Sequence, residues 1–279
     1  MKSILITGGT GSFGQAFARR LLSQDVDRVA IYSRGEYAQA EMRDAFTDNR
    51  MRFFIGDVRD RDRMRWAFDG VDTIIHAAAL KRIEVGHYNP MEMVKTNVQG
   101  TMNVIDAAMA AKVKRVVFLS SDKAWQPISA YGQSKALAET LILNANNQRP
   151  ADGPSFRVVR YGNVAGSRGS VIPKWKGLKA AGGDTVPVSD PDCTRFYMRM
   201  DEAVDLVMAA SMPDNDKAIL IPELPAFRLG DLADVLKVRM DVTGLPPWEK
   251  KHEGMSDGCT SDKARRMTSR ELQQAVAAI

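Results

Sequence analysis

The chain has 279 residues, 44% of them hydrophobic and 26% charged, with a formal net charge of +5. That length suits one large α/β domain with an appended smaller lobe, and so mild a charge gives no basis for a nucleic-acid partner. No apolar run is long enough to span a bilayer, no leader pattern precedes the first strand, and two cysteines, Cys193 and Cys259, make no disulfide framework, so a cytoplasmic chain with no membrane partner is expected.

Residues 2–7 read as a buried-type strand, and Gly8-Gly9-Thr10-Gly11-Ser12-Phe13-Gly14 leads from it into a helix over 15–23. Gly9, Gly11 and Gly14 satisfy one dinucleotide-binding spacing, and Gly8, Gly11 and Gly14 a looser one. Such a turn lets backbone approach a pyrophosphate that rests on the helix N-terminus. The second strand, over 28–32, ends in Tyr32-Ser33-Arg34, where an NAD site would place a carboxylate for the ribose 2′-hydroxyl. A hydroxyl and a guanidinium suit a 2′-phosphate instead, so NADP is expected; the plain alternative makes Arg34 a surface residue at the next helix start.

A third strand over 51–55 runs into Gly56-Asp57-Val58, where Asp57 either binds the adenine amino group or caps the helix starting near Asp60. Arg59, Arg61, Arg63 and Arg65 alternate with Asp57, Asp60 and Asp62 and read as a solvated helix start. A fourth strand over 73–76 precedes Ala77-Ala78-Ala79, small residues that let backbone lie against a cofactor. His76 is expected to pack at the strand end, because no second histidine stands at ligand spacing; no metal is expected. Residues 89–111 read as one long helix, whose internal Asn97 is expected to hydrogen-bond something buried.

The strand over 115–119 delivers Ser120 to the carboxyl edge of the sheet, and Ser129 is a fitting N-cap for a helix over 130–147. Tyr131 and Lys135 then stand one turn apart on one helical face. A nearby ammonium favours phenolate, and a phenolate can take a proton from an alcohol whose carbon gives up hydride. Asp122 and Lys123 face the same crevice; the plain alternative is a surface ion pair.

A sixth strand over 156–160 completes a β/α alternation that argues for an α/β fold, a Rossmann-type doubly wound parallel sheet. The regularity then fades. Residues 161–171 form a glycine-rich loop at a strand end, and Arg195 is as suited to clamping a phosphate as to an ordinary surface place. Residues 201–210 and 228–238 read as helices, 218–221 as a strand and 244–261 as a loop; Thr268 and Glu271 form a capping box for a closing helix. Residues 1–160 are thus expected to form the NADP-binding domain, with some later segments returning to it, and 161–279 mainly a smaller substrate-binding lobe.

The glycine-rich turn, the alanine run and Tyr131-x-x-x-Lys135 together resemble the extended short-chain dehydrogenase/reductases. The segments Phe53-Phe54-Ile55-Gly56-Asp57-Val58, His76-Ala77-Ala78-Ala79-Leu80-Lys81, Ser121-Asp122-Lys123-Ala124 and Arg160-Tyr161-Gly162-Asn163-Val164 narrow this to the inverting UDP-N-acetylglucosamine 4,6-dehydratases of surface-polysaccharide pathways. The match runs to about residue 236, and the Asp-Lys pair ahead of Tyr-x-x-x-Lys is its specific part.

The resemblance implies an NADP that stays bound and is recycled, held around Gly8, Gly11, Ser12, Phe13, Gly14, Ser33, Arg34, Asp57, Val58, Ala77, Ala78, Ala79, Asn97, Ser120, Tyr131, Lys135 and Tyr161. It implies a UDP-sugar substrate near Lys81, Asn163, Val171 and Arg195, and a homo-oligomer. Tyr131 would take the 4-hydroxyl proton, Lys123 the C5 proton, and Asp122 would protonate the departing 6-hydroxyl, while Lys135 would hold the nicotinamide ribose and lower the Tyr131 pKa. One tension follows from elementary electrostatics: an acid must hold its proton, yet a neighbouring ammonium keeps a carboxyl ionised. Either burial keeps Lys123 neutral or the pair titrates as a unit. A 4-epimerase or reductase on the same fold would use Tyr131 and Lys135 without needing Asp122 or Lys123, and a non-catalytic dinucleotide sensor would need none of the four. Departures from the family stand at Trp125, Gln126, Pro246 and Trp248, the last two where a nucleotide-binding Arg-Pro-Gly-Glu-Lys turn is usual.

Overall fold

The computed structural model describes all residues, Met1–Ile279. Its first half alternates strands β1 (Ser3–Thr7), β2 (Arg28–Ser33), β3 (Met51–Ile55), β4 (Thr73–His76), β5 (Arg115–Leu119) and β6 (Ser155–Val159) with helices α1 (Ser12–Leu22), α2 (Glu36–Ala45), α3 (Arg61–Phe68), α4 (Ile83–Tyr88), α5 (Pro90–Met93), α6 (Gly100–Ala110) and α7 (Ala130–Gln148). The second half holds β7 (Asn163–Val164), α8 (Val171–Ala180), β8 (Thr185–Val188), β9 (Thr194–Met198), α9 (Met200–Ala210), β10 (Ile219–Leu220), β11 (Ala226–Arg228), α10 (Leu229–Leu236), β12 (Arg239–Val242), β13 (Gly254–Ser256), β14 (Cys259–Thr260) and α11 (Ser269–Ala277).

Seven parallel strands pair in the order β10-β6-β5-β4-β1-β2-β3. The order reverses between β1 and β4, and the crevice outside the carboxyl ends at such a switch point is where open α/β sheets bind ligands. Both faces are covered, which is why the strands are near-continuous apolar runs: β1 to β5 bury Ile4, Ile6, Val29, Ile31, Ile75 and Val117 on one side and Leu5, Ala30, Tyr32, Ile74 and Val116 on the other. The second half builds its own core around Trp175, Val186, Val188, Phe227 and Leu232. It also returns β10 and α9 to the first core, where Leu220, Val204 and Val207 pack with Val159.

Three segments differ from the sequence expectation. The helix expected over 89–111 is divided: α5 and α6 flank a π-helical stretch, Val94–Gln99, that buries Thr96, Asn97 and Val98. Such wide turns gather at functional sites. The helix expected over 228–238 stops at Leu236, because Lys237 turns left-handed (φ 53°) and the chain enters β12. The expected loop over 244–261 carries the β13–β14 hairpin, and His252 bridges to Thr194 of β9. The β13–β14 hairpin is local but too short to show a periodicity, whereas β12 pairs with β8 and the bridge joins His252 to Thr194, partners far apart in the chain that no local pattern reveals.

Caps follow the sequence. The Ser129 hydroxyl accepts from Gly132 N at 3.1 Å at the start of α7. Thr268 and Glu271 close their reciprocal box at α11. Asp60 caps α3 through Arg63 N, whereas Asp57 spends its carboxylate on Arg59.

Candidate active site

A cleft of about 550 Å³ opens along the carboxyl edge of the sheet. Its floor is the β1–α1 turn. Gly8 takes φ +67°, and a Cβ there would lie 2.8 Å from Ala78 Cα, so the two strand ends approach closely only because that atom is missing. A Cβ on Gly14 would lie 2.4 Å from the Gly9 carbonyl oxygen. Gly11 is the N-cap of α1 and offers no side-chain cap, which leaves the first amides of the helix available to an anion. A dinucleotide pyrophosphate fits this cradle: it needs close backbone, free amides and small neighbours, and Ala77, Ala78 and Ala79 complete the wall.

Most of the residues expected at the cofactor line this cleft: Gly8, Gly11, Ser12, Phe13, Gly14, the three alanines, Ser120, Tyr131, Lys135 and Tyr161. Five others stand elsewhere. Val58 packs in the apolar core. Asn97 is buried, accepting from Leu80 N at 2.9 Å and donating to Leu80 O and the Ser134 hydroxyl at 2.9 Å each; it shapes the loop after β4. Asp57 is drawn to Arg59 at 2.7 Å, with Arg34 3.8 Å away. Ser33 is nearly buried and its hydroxyl accepts from Gln39 at 3.2 Å. Arg34 itself remains half exposed at the end of β2. His76 is fully buried between the Thr7 and Thr101 hydroxyls at 2.7 and 3.1 Å, and burial pushes its pKa down to about 3, so it is a neutral packing residue as expected.

The opposite wall holds the ionisable cluster. Asp122 and Lys123 occupy a single 3-10 turn after β5; Asp122 is buried and the Lys123 side chain is only 17% exposed, which removes the reading as a surface pair. Lys123 Nζ lies 3.1 Å from Asp122 Oδ1, 3.3 Å from Asn163 Oδ1 and 3.2 Å from Glu253 Oε1. Burial disfavours the Lys123 ammonium, yet Asp122 and Glu253 outweigh that and hold its pKa above the usual lysine range. Burial pushes the Asp122 carboxyl up, against the pull of Lys123. Burial also pushes the Tyr131 phenol up, with Lys123 pulling it back.

Lys135 departs from expectation. Its Nζ donates to the Leu119 carbonyl and sits 3.9 Å from the Phe118 ring centre, and burial lowers its pKa to about 7 with Glu139 opposing. The cation that acts on Tyr131 is Lys123. Both α7 residues still line the same cleft, as their four-residue spacing requires.

Lys81, Asn163, Val171 and Arg195 also line the cleft. Arg195 is buried rather than superficial, paired with Glu249 and donating to the carbonyls of Thr194 (2.8 Å) and Lys251 (3.1 Å). Sequence reasoning missed Glu253, which reaches Lys123 from the C-terminal segment; its one local signal was the burst of charge Glu249-Lys250-Lys251-His252-Glu253 inside an apparent loop. The departures from the family have structural duties. Trp125 packs on Gly254, where a Cβ would lie 2.8 Å from its ring, and Trp248 stacks on His87 with centroids 4.0 Å apart.

Residues 4–274 match the family described as polysaccharide biosynthesis protein. The chain is 43% identical over 257 residues to a UDP-N-acetylglucosamine 4,6-dehydratase (inverting) of Campylobacter jejuni, covering 91% of this chain and 77% of that one. It is 41% identical over 240 residues to a UDP-glucose 4-epimerase of Rickettsia rickettsii, covering 85% and 70% of the two chains. The X-ray structure of Pen from Bacillus thuringiensis superposes with a TM-score of 0.94 at 32% identity, covering 99% of this chain and 97% of that one. No helix is long and apolar enough to cross a membrane. With its sheet, its glycine turn and nearly its whole length matched, the chain belongs to the polysaccharide biosynthesis protein family.

Proposed function

We propose that this protein is an NADP-dependent nucleotide-sugar 4,6-dehydratase that inverts C5, with UDP-N-acetylglucosamine as its substrate. The observation that carries this reading is the Asp122–Lys123 ion pair, whose Lys123 lines the same cleft as Tyr131. An epimerase needs a redox tyrosine and no more; a dehydratase also needs an acid and a base for elimination across C5 and C6. The epimerase relatives support the alternative of a 4-epimerase, in which that turn would have no chemical task.

A bound nicotinamide dinucleotide would take a hydride from C4 and return it to C6 after water is lost, which regenerates the oxidised cofactor within one turnover. Gly8, Gly11 and Gly14 would hold its pyrophosphate, and Arg34 would be the residue to receive the 2′-phosphate that distinguishes NADP. Tyr131 takes the proton of the sugar 4-hydroxyl as C4 is oxidised. The C4 ketone then acidifies the C5 proton, which Lys123 removes while Asp122 protonates the leaving 6-hydroxyl. Asn163 steadies the Lys123 amine through its carboxamide oxygen. Lys81 and Arg195 supply positive charge to the cleft for the substrate diphosphate, Arg195 in a fixed pose set by Glu249. Val171 borders the same space at the start of α8.

The test is incubation with UDP-N-acetylglucosamine in D₂O, followed by mass spectrometry and NMR. Loss of one water, deuterium at C5 with inverted configuration, and no net reduced cofactor are expected. A product epimerised at C4 with the 6-hydroxyl retained would move the assignment to the epimerase.

A further inference from the structure

Dehydration asks for an Asp122 that holds its proton and a Lys123 that can part with one. An amine and a carboxyl in contact favour the reverse, ammonium and carboxylate. The structure brings a third group to the pair. Glu253 is buried, its backbone N donates to the Ser261 hydroxyl at 2.9 Å, and its Oε1 stands 3.2 Å from Lys123 Nζ. Asp122 meets the same ammonium through Oδ1, which also accepts from the Ser121 hydroxyl at 2.9 Å. Its other oxygen, Oδ2, is buried without a hydrogen-bond partner; Oε2 of Glu253 also lacks one, but has the Lys250 ammonium 3.9 Å away.

The surrounding charges are not shared evenly. Glu253 feels Lys123, Arg195 from β9 and Lys250, whose Nζ is 3.9 Å from Oε2. Asp122 is reached mainly by Lys123, with Lys250 acting on it only from farther off. Glu249 is engaged by Arg195, Tyr131 and Asn163 bring no charge, and Lys81 is itself pushed toward the neutral form by burial, Arg82 and Lys123. Of the two carboxyls, Glu253 is the better placed to stay ionised.

We propose that Glu253 is a positioning residue that sets the protonation of the Asp122–Lys123 pair: it holds the Lys123 ammonium so that Asp122 rests as an acid, and it takes a proton from Lys123 when the amine is needed at C5. This rests on the dehydratase reading and deepens it. The proton count closes. At rest the cluster is a Glu253 carboxylate, a Lys123 ammonium and an Asp122 acid, with no net charge. One proton passes from Lys123 Nζ to Glu253 Oε1, which leaves all three neutral. The amine takes the C5 proton, the C5–H electron pair becomes the C5–C6 double bond, and the C6–O bond breaks onto oxygen, which leaves as water with the Asp122 proton. A Glu253 acid, a Lys123 ammonium and an Asp122 carboxylate remain, still without net charge. Proton transfer from Lys123 to Asp122 and from Glu253 to Lys123 restores the start. Neutrality throughout suits a buried site, where an uncompensated charge is costly.

The test uses the full-length holoenzyme as wild type, Glu253→Gln, Glu253→Asp and Asp122→Asn. Glu253→Gln should lower dehydration by at least about 100-fold, the scale of acid–base catalysis, while C4 oxidation persists, so that UDP-N-acetylglucosamine drives reduced-cofactor absorbance that accumulates. Glu253→Asp should retain turnover within about tenfold of wild type. Infrared difference spectra without substrate read the acid directly: at neutral pH the wild type and Glu253→Asp should show the protonated-carboxyl band that Asp122→Asn removes, and Glu253→Gln should lack it. Wild-type turnover in Glu253→Gln, or a band unchanged in that variant, would overturn the proposal. So would a wild type without the band, a measurement that stands even if the glutamine variant does not fold. If the wild type dehydrates no sugar nucleotide, the dehydratase reading falls by itself, and the infrared result alone decides whether Glu253 controls the pair.

Discussion

The two halves of the chain contribute to the cleft in different ways. The first half supplies contiguous motifs on regular elements: a glycine turn between β1 and α1, an Asp-Lys turn after β5, and a tyrosine and lysine on α7. The second half supplies single side chains from short strands and turns, Asn163, Arg195 and Glu253, each within reach of Lys123 or of its partners. On the proposed reading, the redox apparatus would sit on one half, while the charges that tune the elimination would arrive from the other. Reading motifs alone would find the superfamily and miss what tunes the chemistry.

The strongest way to break that comparison is to separate the two chemistries. Lys123→Ala should reduce dehydration by about 10³-fold or more, with cofactor affinity unchanged by isothermal titration, because Lys123 faces the ion cluster while the pyrophosphate cradle is the glycine turn. Tyr131→Phe should instead block C4 oxidation, so substrate should produce no transient reduced-cofactor absorbance. Unchanged turnover in the first variant, or a normal transient in the second, would show that the division of labour is wrong.

The halves are also tied mechanically. Arg160 follows β6, pairs with buried Glu139 of α7 at 2.9 Å, donates to the Met255 carbonyl of β13 and lies 5.6 Å from the Trp125 ring centre. Arg160→Met leaves Glu139 uncompensated in the interior, and the loss should be about 3–5 kcal/mol in chemical denaturation. The double variant Arg160→Met/Glu139→Leu should recover most of that stability, since neither charge of the pair is then left alone in the interior. It should still lower turnover, because the hairpin next to Glu253 has lost its tie to Met255. Full recovery of activity would mean that the second half positions itself without Arg160.

The cofactor end offers a smaller effect. Arg34 is half exposed and 3.8 Å from Asp57, so its guanidinium is partly offset before any phosphate arrives. Burial would raise the Asp57 carboxyl, but its hydrogen bonds to Arg59 hold it below the usual range and keep it charged. Arg34→Ala should cost NADP about 1.5–3 kcal/mol, as for a charged hydrogen bond, and leave NAD nearly unaffected. Equal losses for the two nucleotides would remove the 2′-phosphate contact.

Legibility in the sequence follows the same division. Strands β1 to β6 were readable because burial on both faces demands unbroken apolar runs, and the caps at Ser129 and Thr268 because capping is local. Asp122, Lys123, Tyr131 and Lys135 were readable because their spacing places them on a turn and on one helix face. Asn97 was legible as a buried hydrogen-bonding residue but not in its partner, Leu80, which only the π-helical stretch brings to it. Val58 was misplaced because a residue after a strand end can turn to the core as readily as to the cleft. Glu253 could not be found locally: its position depends on the pairing of Thr194 with His252 and on the Ser261 hydroxyl, contacts made across long stretches of chain. The direction of Lys135 was hidden for a related reason, since the Leu119 carbonyl that receives it belongs to a neighbouring strand.

That last side chain gives the gentlest test. An ordinary lysine titrates at 10.5, whereas burial brings Lys135 to about 7, with Glu139 opposing the shift. A folded-state pKa below the unfolded value means that the unfolded chain binds more protons between the two values, so the contribution of Lys135 to unfolding free energy rises with pH across that window. The penalty for burying the ammonium is therefore fully present below about pH 7 and fades as pH climbs toward 10.5. Urea denaturation without added nucleotide, at a series of pH values from 7 upward, should show this rise, and Lys135→Met should flatten it while leaving the Lys123 cluster intact. A slope unchanged by the substitution would mean that Lys135 keeps its charge in the folded protein, and the redox half would then carry a fixed cation of its own instead of taking the field at Tyr131 from Lys123.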